Sequence, residues 1–162
     1  MIIRPPSLQD VDALIELASH LHKESAYSFL PFEVPKVRAL IMEYLSDRIY
    51  RCGLVAEAGG VTIGMIGGVL VEYYFCSEKL VADEVLFVRS DHRGGQAAAR
   101  LIRGLRQWSV ARGALELCLS VSTSINLART TRFYERLGFT GVGGVFKMRL
   151  ESSSAEPNLN DR

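Results

Sequence analysis

The sequence predicts one mixed α/β domain, and three observations carry that prediction. A chain of 162 residues is long enough to close a single hydrophobic core. Its apolar residues (48%) repeat at helical spacing in some segments and as β-branched or aromatic runs in others. No internal repeat or linker interrupts residues 1–150, which therefore read as one domain, followed by a polar tail at 151–162 with no periodicity.

The elements follow in order. Ile2 and Ile3 read as a short strand stopped by Pro5 and Pro6, and Ser7 with Asp10 forms a capping pair for a helix. Val11, Leu14, Ile15, Leu17, Ala18 and Leu21 are that helix's apolar face. The aromatic-rich stretch HKESAYSFLPFE looks irregular, and a second helical face (Val37, Leu40, Ile41, Tyr44, Leu45) begins after Pro35. In GLVAEAGGVTIGMIGGVLVEYYF, Gly59-Gly60 splits two strands as a hairpin turn, and LVADEVLFV is a third strand of the same region. Gly94-Gly95 opens a helix with Ala98, Leu101, Ile102, Leu105 and Trp108 on one face, ended by Gly113. Leu115 to Val121 reads as a buried strand with Cys118 in the core, Leu127 to Leu137 as a helix stopped at Gly138, and Val142 to Leu150 as a closing strand.

Several function classes are disfavoured. A net charge of +1 supplies no footprint for nucleic acid and no polybasic membrane anchor. The first twenty residues reach acidic positions too soon for a signal peptide, and the run Gly64 to Val71 is far short of the roughly 20 residues a membrane helix needs. Cys52, Cys76 and Cys118 are odd in number and widely spaced, which fits reduced thiols in a cytoplasmic protein and neither a disulfide framework nor a zinc site. His20-x-His22 has no metal-ligand spacing, so no metal is expected. Ser120 to Ser124 lacks recognisable His and Asp partners for a serine hydrolase.

The chemistry concentrates in DEVLFVRSDHRGGQAAARLIRG, where a strand runs into a glycine turn and then a helix. The first N–H groups of a helix have no intrahelical partner and lie at the positive end of its dipole, an arrangement that suits a pyrophosphate. Gly94 and Gly95 permit close approach of an anion, and Ala97, Ala98 and Ala99 keep the first turn uncluttered. The same glycines also suit a tight strand-to-helix turn with no ligand. Neither a Walker loop nor G-x-G-x-x-G is present. The run Arg93-Gly94-Gly95-Gln96-Ala97-Ala98 resembles the coenzyme A signature (Q/R)-x-x-G-x-(G/A) of the GNAT superfamily of N-acetyltransferases, with Gln96 where that family usually has glycine.

The resemblance implies a central, mixed, mostly antiparallel, twisted sheet of about six to seven strands flanked by about four helices. It implies acetyl-coenzyme A as co-substrate, with amides from Gly94 to Arg100 cradling the pyrophosphate and Leu86, Phe87 and Val88 running beside the pantetheine arm like an added strand. Arg100 and Arg103 either meet the 3′-phosphate or form a solvated helix face.

A second segment, NLARTTRFYERLGF, is similar to the family's C-terminal signature, with Phe133-Tyr134-Glu135-Arg136-Leu137-Gly138-Phe139 matching closely. Asn126 precedes Tyr134 by eight positions where many members have seven, and reads equally as a cofactor contact or a helix N-cap. Tyr134 is the candidate general acid for the thiolate that leaves when an amine attacks a thioester; Phe133 packs beside the cofactor. The amine, with a reference pKa of about 10.4, must also lose a proton. Strand alternation sends Asp83 and Glu84 to opposite faces, and Glu84 is the preferred base. Glu24, Tyr27, Phe29 and Tyr73 are candidates for a pocket holding an amine acceptor, a small molecule or a peptide. A non-catalytic module of the same fold that senses acyl-coenzyme A is the alternative. Oligomeric state stays open, with a homodimer as one option.

Overall fold

A computed structural model describes residues 1–121, 126–148 and 150. Along the chain run β1 (Ile2–Arg4), a 3-10 turn (Leu8–Asp10), α1 (Val11–Glu24), α2 (Val34–Ser46), β2 (Arg51–Ala58), β3 (Val61–Glu72) and β4 (Lys79–Val88). After them come a second 3-10 turn (Ser90–His92), α3 (Ala97–Ala111), β5 (Glu116–Cys118) and α4 (Leu127–Arg136). The strands lie side by side in sequence order as one five-stranded sheet. All pairings are antiparallel except β4 with β5, which α3 connects as a crossover.

Each face of the sheet carries a helical layer. Leu14 and Leu17 of α1 pack with Val55, Met65 and Phe87 on one side. Leu101, Ile102 and Leu105 of α3 pack with Ile66, Val81 and Val88 on the other, joined by Tyr134 of α4. Leu101 and Leu105 are wholly buried, each worth about 1.5–3 kcal/mol of transfer free energy. The hairpin between β2 and β3 turns at Gly59 and Gly60, with φ of 58° and 77°, the left-handed pair a tight two-residue turn requires. The capping pair also forms. Asp10 accepts from the Ser7 N–H (2.7 Å) and hydroxyl (2.8 Å), and the Arg4 guanidinium grips its two oxygens at 2.8 Å each.

One irregularity positions the site. Gly67 of β3 pairs with Val85 and Gly68 with Asp83, leaving Glu84 without a partner on β3. This bulge breaks the alternation of β4. Val81 faces α3 and Val85 faces α1 although both are odd-numbered, so Glu84 and Val85 lie on the same face in succession.

Three expectations require correction. Among the described residues the sheet has five strands, not six to seven. Residues 142–148 form no strand, and Val142 and Phe146 are almost fully exposed, so the expected closing strand finds no pairing edge there. Cys118 lies exposed at the end of the short β5 while Leu117 packs against the core, because β5 keeps only three paired residues. Residues 151–162, the expected tail, fall outside the described residues.

Candidate active site

A cleft of about 620 Å³ opens where β4 and β5 part. Their ladder ends at Ala82 with Cys118, and beyond it the Asp83 carboxylate accepts the Ser120 N–H at 2.7 Å. A side chain thus satisfies the amide that the next rung would have used, and the strands diverge. From Asp83 to Val88 the outer edge of β4 carries no neighbouring strand among the described residues, and this edge forms one wall of the cleft. An extended chain with its own amides can pair with such an edge.

At the end of β4 the chain turns through Arg93 to Gln96 into α3. The N–H groups of residues 94–99 make no hydrogen bond among the described residues; the Arg100 N–H is the first to find a carbonyl, that of Gln96 at 2.9 Å. Gly94 has φ of 87°, a conformation L side chains rarely adopt. The Arg129 guanidinium, from α4, stands 3.7 Å from where a Cβ on Gly94 would lie. Six successive unpaired donors at a helix N-terminus, with an arginine opposite, fit the pyrophosphate of a coenzyme A.

Tyr134 forms the deep wall. It is 8% exposed, with its ring 5.8 Å from Phe133 and 5.9 Å from Phe139. Burial, with a smaller contribution from the charge of Asp83, raises its hydroxyl above the usual phenol value, so it stays protonated at neutral pH. Burial likewise pushes the Asp83 carboxyl up, opposed by its bond from Ser120. Glu84 also lines the cleft, and its Oε2 accepts the Tyr44 hydroxyl at 2.5 Å and the Arg51 guanidinium at 2.9 Å.

The structure therefore brings Leu86, Phe87, Val88, Gly94, Gly95, Ala98, Phe133, Tyr134 and Glu84 to one cleft. Gln96, Ala97 and Ala99 carry N–H groups of the same turn, although the Ala97 side chain packs inward. Asn126 occupies the N-cap of α4 in a left-handed conformation (φ 47°), makes no side-chain capping bond, and lines the cleft.

Other residues stand elsewhere than the sequence suggested. The Arg100 N–H is already bonded within the helix, and its guanidinium donates to the Met1 carbonyl, so the cradle ends at Ala99. The Arg93 side chain lines the cleft but is committed to the Val88 carbonyl (2.8 Å), to Glu24 (2.7 Å) and to the face of Phe87. Glu24 is thereby a brace for the turn. Neither it nor Tyr27, Phe29 or Tyr73 lines the cleft. The Tyr73 hydroxyl meets Glu116, beside the end of β4 remote from the cleft. Sequence reasoning missed Arg129 and the pair Tyr44 and Arg51. For Arg129 a signal existed, since it precedes Phe133 by four residues and so shares its helix face.

Comparison with known proteins decides the family. The model described as Acetyltransferase (GNAT) family matches residues 15–139, most of the chain. The chain belongs to the GNAT acetyltransferase family. Among curated relatives of this GNAT protein, human N-acetyltransferase 8 is 34% identical over 103 residues, covering 64% of this chain and 44% of that protein. The chain thus spans less than half the length of the curated relatives it matches. Among solved structures, a transcriptional regulator from Bacillus halodurans superimposes with a TM-score of 0.76 at 20% identity, covering 92% of this chain and 99% of that one. An aminoglycoside 6′-N-acetyltransferase from Acinetobacter haemolyticus gives 0.73 at 18% identity, covering 94% and 100%. These likenesses show that the GNAT fold is shared.

Proposed function

We propose that this GNAT protein transfers the acetyl group of acetyl-coenzyme A to a primary amine by direct attack in a ternary complex. One observation carries the reading: six unpaired amides end the same cleft whose deep wall is a buried, protonated tyrosine. In this reading the amides of residues 94–99 and Arg129 hold the diphosphate, and the bare edge of β4 pairs with the pantetheine arm. A free N–H of that edge near Leu86 polarises the thioester carbonyl.

The acidic side of the cleft, Asp83 and Glu84, attracts a cationic amine, and Glu84 accepts its proton. The amine nitrogen then bonds to the carbonyl carbon, the carbon–sulfur bond breaks, and the thiolate departs beside Tyr134. A phenol raised above 10 is a weaker acid than a thiol of about 8.5, so Tyr134 keeps its proton and stabilises the thiolate by hydrogen bonding, while the second proton shed by the acylated nitrogen goes to the departing sulfur. The test is a panel of primary amines (aminoglycosides, polyamines, peptide N-termini and lysine peptides) incubated with acetyl-coenzyme A while thiol release is followed. Saturable release with at least one amine, and acetylated product by mass, is the expected result. Tight coenzyme A binding with no release across the panel would favour a sensing module.

A further inference from the structure

We propose that Tyr44 is a positioning residue that, with Arg51, holds the Glu84 carboxylate at the cleft from the sheet face that α1 and α2 cover. The inference rests on the reading of Glu84 as the proton acceptor. A carboxylate on a bulge lacks the ladder bonds that orient its neighbours, so its direction must come from side chains. Two supply it. The Tyr44 hydroxyl, on α2, donates to Oε2 at 2.5 Å, and Arg51, at the start of β2, donates to the same oxygen at 2.9 Å. No bond to Oε1 occurs among the described residues, which leaves that oxygen for a proton.

The support is itself built in. Arg51 is fixed by Glu43 at 3.0 Å and lies over the Tyr44 ring, 5.2 Å from its centroid. The ring rests on two glycines that face each other across β2 and β3, Gly53 and Gly67. A Cβ on Gly53 would meet Tyr44 Cδ1 at 3.4 Å, and one on Gly67 would meet Cζ and the hydroxyl oxygen at 2.9 Å each. Any larger residue at 67 would occupy the space the hydroxyl crosses to reach Glu84. Desolvation, then the hydrogen bond to Glu84 and its charge, hold Tyr44 far above the usual phenol range, so it acts as a fixed donor throughout the working pH range. The charged groups around Glu84 are thus Arg51 from β2, Glu43 behind it on α2, and Asp83 on its own strand.

The experiment compares wild type, Tyr44→Phe, Gly67→Ala, Glu84→Gln and the double variant Tyr44→Phe/Glu84→Gln, using an amine that the panel identifies. Tyr44→Phe keeps the ring on its glycine floor and deletes only the donor. Its kcat should fall about three- to tenfold with the KM for acetyl-coenzyme A unchanged. The acid limb of its kcat–pH profile should move to higher pH, because the carboxylate has lost a donor to its charged form. Gly67→Ala should reproduce the loss by displacing the ring. In the Glu84→Gln background Tyr44→Phe should cost nothing further. If Glu84→Gln lowers kcat while Tyr44→Phe leaves both rate and profile unchanged, or if the two losses multiply, positioning by Tyr44 is refuted and the base assignment stands. If Glu84→Gln leaves turnover and profile intact, the base assignment and the inference built on it fall together.

Discussion

The amide cradle is best tested at Gln96, where backbone and side chain can be separated. The Gln96 N–H is one of the six unpaired donors, its side chain makes no hydrogen bond among the described residues, and its carbonyl receives the Arg100 N–H. Its φ of −89° lies roughly 24° from the −65° that proline prefers. Gln96→Pro therefore removes one donor, keeps the helical carbonyl bond, and demands little of the backbone. The preceding residue, Gly95, tolerates the restriction proline imposes better than any other. A hydrogen bond from an amide to a charged phosphate contributes about 1.5–3 kcal/mol, which converts to a coenzyme A Kd weakened about 10- to 150-fold. Gln96→Ala, which keeps the N–H, should stay within about twofold of wild type. Isothermal titration calorimetry with coenzyme A, alongside thermal melts of the apo proteins, reads both. An unchanged Kd for Gln96→Pro at an unchanged Tm would show that this amide faces no phosphate. Equal losses in the two variants would put the contact on the side chain and refute the reasoning from unpaired donors.

Three further outcomes follow from the same structure. Tyr134→Phe should lower kcat about 100-fold with coenzyme A affinity within twofold, measured by single-turnover thiol release and calorimetry; a preserved rate would leave Tyr134 a packed aromatic only. Gly64→Ala would place a Cβ 2.9 Å from the Phe87 carbonyl oxygen, a backbone atom that cannot step aside. A loss of about 1–3 kcal/mol in urea denaturation is expected, and an unaltered midpoint would mean that β3 and β4 yield freely. Asp10, gripped by Arg4, has its carboxyl held well below the usual range, so the stability it contributes is present above the unfolded value near 3.9 and is lost as pH falls below it. Asp10→Asn should cost about 2 kcal/mol at pH 7 and flatten the stability curve below pH 4; parallel wild-type and variant curves would contradict this.

Much of this protein was legible because its signals are local. Helix periodicity located α1 and α3, the stop at Gly138 located the end of α4, the glycine pair located the hairpin, and a strand running into a glycine turn located the amide cradle, since the donors there belong to the backbone. The closing strand expected from Val142 to Leu150 does not form over 142–148, because an apolar stretch specifies a surface and not a partner for it. What only the tertiary structure decided is where charges end. The bulge at Glu84 cannot be read from DEVLFV, because it arises from a register slip against Gly67 and Gly68 and overturns the alternation rule beyond that point. Tyr44, 40 residues before Glu84, looked like any core aromatic on a helical face until the facing glycines of β2 and β3 gave its hydroxyl a path. Glu24 and Arg93, assigned separately to acceptor and cofactor, turned out to neutralise each other, since an ion pair across 69 residues depends on how α1 docks beside the end of β4. Backbone chemistry follows from sequence spacing; the direction of a side chain follows from what packs around it.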